Sequence, residues 1–166
     1  MSIWQLEFGF VPSTAATRHW ADSHSTTRIL SPERERLWEG AAFPDSLIET
    51  LDRLLPDSRM MDASHARWAD GNGSFIDLFF EADRVVSIGV TLDLRVPCLT
   101  LVSELALVAN RQQWLVITCD GRIFRPTVRR FLGEIQQSSA MRWIRGSLDT
   151  LVRRHSTHTN EELRCD

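Results

Sequence analysis

From Ile3 to Phe10 apolar and polar residues alternate. Trp4, Leu6, Phe8 and Phe10 fall on one side and Gln5 and Glu7 on the other, which predicts a strand with one buried face. Residues 11–28 are small and polar and predict a loop, with a helical turn near Ala15 to Asp22. Ser31 before Pro32 predicts a capped short helix that runs to Glu39 and ends at Gly40. Asp45 caps the next helix, where Leu47, Ile48, Leu51, Leu54 and Leu55 recur at one-face helical spacing until Pro56. Residues 64–69 predict a strand around Trp68, and Asp70-Gly71-Asn72-Gly73 predicts a tight turn.

The clearest pair is Phe75 to Glu81 with Val85 to Arg95. If Ala82, Asp83 and Arg84 form a three-residue loop, Phe80 faces Val86, Leu78 faces Ile88 and Ile76 faces Val90, all apolar and on one side. The opposite side then carries Asp77, Glu81, Ser87, Gly89, Thr91 and Asp93, with Phe79 among them. A one-residue slip would mix the two sets, so the pattern selects this register.

After Pro97, residues Leu101, Val102, Leu105, Ala106, Val108 and Ala109 predict a third amphipathic helix. Trp114 to Thr118 reads as a central strand, and Asp120-Gly121 turns it into Arg122 to Phe124. Pro126 and Thr127 open a fourth helix with Val128, Phe131, Leu132 and Ile135 on its buried side. Met141 to Ile144 predicts a last strand and Ser147 to Arg154 a last helix. Hairpins dominate over strand–helix alternation. The expected fold is a single α+β domain over 1–154, a mostly antiparallel sheet with a central meander packed by amphipathic helices, followed by a polar tail over 155–166.

Composition narrows the chemistry. The chain has 166 residues, 43% apolar and 25% charged, which fits one globular domain. All 19 basic residues are arginine, and there is no lysine or tyrosine. This excludes a lysine Schiff base, and with it the usual pyridoxal phosphate chemistry, as well as a P-loop or kinase lysine and a catalytic tyrosine. The bias itself reads as that of a GC-rich bacterial coding sequence. The first ten residues lack the basic start of a signal peptide, and no apolar run approaches membrane-spanning length. Cys98, Cys119 and Cys165 are odd in number and widely spaced, unlike a disulfide framework. A cytoplasmic protein is expected.

Charge is unevenly placed. Residues 1–110 hold 9 arginines against 16 acids, whereas residues 111–154 hold 9 arginines against 3 acids. Two readings compete: the arginines pair with the chain's own carboxylates, or one region forms an interaction face. Asp77, Glu81 and Asp93 are the acidic candidates for such a face, and Arg125 and Arg129 the basic ones. Trp20 and Trp38, set in polar surroundings, are candidate exposed anchors for a partner. Nucleic acid is not expected, because the net charge is −3 and no nucleic-acid-binding motif is present.

The remaining motifs are weak. Asp70, Asn72, Ser74 and Glu81 mimic calcium-loop positions, but Phe75 stands where the loop needs glycine, so a hairpin turn is expected. His155 and His158 with Cys165, and His19 with His24, lack a second ligand pair, so no metal and no cofactor are expected. Cys98 and Cys119 adjoin apolar runs and read as buried packing residues. Asp77 and Asp93 share a sheet face, where they are either solvated carboxylates or an acid–base pair.

A pattern also runs through residues 43–144: Phe43-Pro44, the leucine helix to Leu55-Pro56, Trp68, Gly73 to Ile76-Asp77, Val85-Val86, Ile88, and Leu92-Asp93-Leu94-Arg95. It continues with Trp114 to Val116, Asp120-Gly121, Pro126-Thr127 and Ser138 to Ala140. This pattern resembles small bacterial proteins, some of which are similar to immunity proteins of polymorphic or contact-delivered toxin systems. The resemblance implies a non-enzymatic protein that binds and neutralises a cognate toxin or effector domain, and it transfers no individual binding residue. The alternatives are a small enzyme using Asp and His groups, with a pocket joining Asp77 or Asp93 to a histidine or arginine, and an accessory subunit that buries its tryptophans in an oligomer.

Overall fold

A computed structural model describes residues 3–14, 37–38, 46–82 and 84–146. The elements in chain order are β1 (Gln5–Pro12), α1 (Ser46–Leu54), β2 (Asp57–Asp62), β3 (His65–Ala69), β4 (Phe75–Glu81), β5 (Arg84–Asp93), α2 (Leu99–Arg111), β6 (Trp114–Thr118), β7 (Ile123–Phe124) and α3 (Val128–Gln137). The strands form one antiparallel sheet in the order β2-β3-β4-β5-β1-β6-β7. The expected α+β class and antiparallel meander are therefore present.

The position of β1 is the main departure from a local reading. Its alternation predicts one buried face, yet it is buried on both sides from Phe8 to Pro12 because it lies between β5 and β6. It also runs past Phe10 into the expected loop. Pro12 is tolerated there because it closes the ladder, opposite Trp114. β2 is absent from the sequence reading because all six of its residues are exposed, so it has no core-facing period to detect. It joins the sheet through the hairpin at Asp62, whose Oδ1 accepts from the Ser64 N–H at 2.7 Å and its hydroxyl at 2.8 Å.

The β4–β5 register holds at Ile76↔Val90 and Leu78↔Ile88 but shifts near the tip, where Phe80 faces Val85 instead of Val86. A bulge at Val86 turns Val85 into the core, and the loop tightens with Ala82 at a φ of 47°. The predicted strand at Met141 to Ile144 is helical instead, over 139–146. Ser138 explains this: its Oγ accepts from the Met141 N–H at 3.1 Å and starts a new helix.

The amphipathic helices form as expected and cover one face of the sheet. α1 buries Leu47 and Leu51, followed by Leu55, and the Trp68 indole donates to Asp52 on α1 at 2.7 Å. α2 buries Val102, Leu105, Ala106 and Ala109. α3 is capped by Thr127, which accepts from the Arg130 N–H, and buries Phe131 and Ile135. A chain of rings crosses this core: Phe124, Phe131, Phe8, Phe10, Trp114 and Trp38 meet successively at centroid distances of 5.1–5.9 Å. Each such pair adds about 0.5–1.5 kcal/mol beyond its buried area.

Several expectations lie outside the described residues: the helical turn at Ala15 to Asp22, the helix entered by Pro32 except for Leu37 and Trp38, which form a turn, the Asp45 cap, the helix from Ser147, the tail from His155 with its boundary at 154, Trp20, and His19 and His24. No helix among the described residues is long and apolar enough to cross a membrane.

Candidate site on the open face of the sheet

Apart from Val85 beyond the bulge, the odd-numbered positions of β1, β3, β4, β5 and β6 point away from the helices. One row crosses every strand: Arg59, Arg67, Asp77, Gly89, Gly9, Ile117 and Ile123. At its centre Gly9 pairs with Gly89, so two adjacent side-chain positions are bare. A cleft of about 340 Å³ lies over them. The two glycines serve different ends. A Cβ on Gly9 would sit 2.9 Å from the Ile88 carbonyl oxygen, so close strand approach requires glycine. A Cβ on Gly89 would meet nothing nearer than Asp77 Cβ at 3.9 Å, so its absence opens space.

Asp77 forms one wall. Arg67 grips it in bidentate fashion, Nε at 2.7 Å and Nη2 at 2.9 Å, and His65 Nε2 lies 2.9 Å from the same Oδ1. The Asp77 hydrogen bond raises the Arg67 pKa. The Arg67 guanidinium carbon lies over the Phe75 ring, 3.9 Å from its centroid, and His65 stacks on Phe79 at 4.5 Å. Both Asp77 oxygens are therefore engaged, Oδ1 by Arg67 and His65 and Oδ2 by Arg67. The cleft thus joins Asp77 to an arginine, as an enzyme reading requires, but His65 is outside the cleft lining. Glu7 lines the opposite end, half-buried and paired with nothing among the described residues. Leu37 packs over Val11, Leu115 and Ile117 on the same side of the sheet.

The expected acidic face divides into separate environments. Asp93 is not a solvated strand carboxylate; it is 1% exposed. Arg95 clasps it through Nε at 3.0 Å and Nη2 at 2.5 Å, its pKa lies below the ordinary carboxylate value chiefly because of that contact, and its own N–H donates to Ser74 Oγ at 3.1 Å. Gly73, at a φ of 106°, makes room for it; a Cβ there would lie 2.6 Å from Asp93 Oδ2. Asp93 is outside the cleft lining, so it forms no acid–base pair there with Asp77. Glu81 is exposed at the hairpin end, opposite Arg84.

Trp38 is not an exposed anchor. It is 4% exposed, packs edge-on against Trp114, and donates its indole N–H to the Phe10 carbonyl where the β1–β5 ladder ends. Cys119 is exposed at the cleft margin, contrary to its expected packing role, whereas Cys98 is half-buried with its thiol pKa pushed up by burial. Trp143, at 47% exposure, is the exposed large aromatic beside Trp4.

The arginine-rich segment splits. Arg122 bridges Asp120 and the buried Glu134, each at 2.8 Å, and Arg130 lies 3.9 Å from Glu134. Arg125 and Arg129 are exposed and pair with no carboxylate among the described residues. Arg125 borders a second cleft, about 530 Å³, beside Asn110 and the end of β6. The calcium-like loop is a turn: Asp70 Oδ1 accepts from the Asn72 N–H at 2.7 Å and the Ser74 N–H at 3.1 Å, while Glu81 lies at the far end of β4. No group of three or more candidate ligands gathers among the described residues.

The reading from sequence missed Gly9, Glu7, Arg67 and His65 as site residues. Glycines inside two alternating strands were the available signal, since such glycines mark close approach or vacant space. No protein family, curated protein or solved structure matches this chain.

Proposed function

We propose that the protein is a non-enzymatic binding protein of the immunity type, which takes a protein partner on the open face of its sheet and neutralises it. The observation that carries this reading is the cleft over Gly9 and Gly89, walled by an Arg67–Asp77 pair already locked in place. A pre-set wall lowers the ordering cost of association. The acidic excess of residues 1–110 favours a partner with a basic docking surface. Asp77 with both oxygens engaged supports binding over acid–base chemistry.

The test mixes the purified chain with the purified product of the adjacent gene. A one-to-one complex at micromolar concentration, with amide exchange slowed on β3–β5, is expected. No complex, or protection confined to the helices, overturns the reading.

A further inference from the structure

We infer that the Gly9–Gly89 cleft is a receptor for one basic side chain, an arginine or lysine presented by a protein partner. This inference rests on the binding reading above and names the chemistry of its anchor.

Charge is the first argument. The charged residues lining the cleft are Glu7, Arg67 and Asp77. The two Asp77 oxygens take the Arg67 guanidinium at 2.7 and 2.9 Å, so that pair is locally neutral. Glu7 is left, half-buried and unpaired among the described residues, and it gives the cleft a net negative character. A half-buried carboxylate attracts a cation brought against it more strongly than a fully solvated one does.

Shape is the second argument. Glu7 precedes Gly9 by two residues on the same side of β1, about 7 Å along the strand. A long aliphatic stem can therefore cross the bare Gly9–Gly89 floor and deliver its charged head to Glu7. Thr91, directly opposite Glu7, places a hydroxyl-bearing side chain beside that head. Phe75 and Trp38 line the cleft and give the aliphatic stem an apolar wall to pack against. A volume of about 340 Å³ is near the lower bound for enclosing a whole small ligand, but it admits a single anchor side chain. The exposed Phe79 next to the cleft extends the contact surface available to a protein.

The test is an amide NMR titration of the full chain with the blocked amino acids Nα-acetyl-arginine-N-methylamide and its lysine and glutamate counterparts. The arginine or lysine probe is expected to give saturable shifts at Gly9, Gly89 and Thr91, and the glutamate probe none. Glu7→Gln should weaken binding at least fivefold. Gly89→Val should abolish it by filling the floor, and Glu104→Gln, on the solvent side of α2, should leave it unchanged. Equal binding of the glutamate probe, or no effect of Glu7→Gln, overturns the inference. A protein complex that survives both Glu7→Gln and Gly89→Val overturns it too, while leaving the binding reading intact. Saturation by a basic probe with no protein complex sensitive to Gly89→Val assigns the cleft to a free cation and also overturns it.

Discussion

The helix-covered face and the open face of the sheet use alternate residues of the same strands, yet they are stabilised by different means. On the covered side Phe8, Ile76, Leu78, Val90 and Leu92 meet α1–α3 in an apolar core. On the open side the same strands present Glu7, Gly9, Asp77, Gly89 and Asp93, held by ion pairs and close backbone approach. The first arrangement tolerates no vacancy, because interiors are packed to crystal density. The second is organised around one. A vacancy beside fixed charges has no counterpart in the packed core, and it is the feature on which the proposed binding role rests.

That division predicts a ranked set of effects. The largest belongs to the covered face. Phe131→Ala removes the ring that joins Phe8 and Phe124 and should cost about 3–5 kcal/mol in urea denaturation. If it costs no more than substitutions on the open face, the contrast is broken.

Next comes Asp93, a carboxylate on the open-face side of β5 that is buried as deeply as the core. Asp93→Asn should cost about 2–3 kcal/mol at pH 7, since it loses charged hydrogen bonds. Its folded pKa is depressed, so its contribution is full above the unfolded carboxylate value of about 4 and fades as pH falls through the folded value. Wild type and variant should therefore converge in stability as the pH is lowered below about 4. Parallel curves would remove the ion pair from the account.

The glycine pair sharpens the comparison within one row. Gly9→Ala meets the Ile88 carbonyl and should cost about 1–3 kcal/mol, whereas Gly89→Ala enters open space and should leave stability within about 1 kcal/mol of wild type. Equal effects would mean that the cleft floor is not vacant. The smallest change is expected at Arg59→Ala, on the edge strand. Its pair with Asp57 at 3.2 Å is exposed on both sides and should contribute less than about 0.5 kcal/mol.

Legibility in the sequence followed the length of the interactions. The helix faces, the Asp70 to Gly73 turn and most of the β4–β5 register could be read because neighbouring residues decide them. β2 could not, because an exposed edge strand carries no apolar period. Trp38 looked solvent-exposed from its polar neighbours, but its surroundings come from Phe10 and Trp114, far along the chain. Met141 to Ile144 has an apolar content that suits a strand or a helix, and the Ser138 cap decided between them. The candidate site was half legible. Asp77 was identified, but its partners Arg67 and His65, and the unpaired Glu7, required the pairing of four strands.

Local chemistry was thus sufficient for the class of fold: spacing of apolar residues, prolines at helix ends and glycine turns act within a few residues. It also excluded lysine-dependent catalysis, since composition does not depend on conformation. Insertion of β1 between β5 and β6 was a decision of long-range pairing. That insertion brings Gly9 opposite Gly89 and sets Glu7 across the cleft from Asp77. No periodicity encodes which strand lies beside which. Strand order follows from how all the apolar faces can be buried together, and the cleft exists only once that order is set.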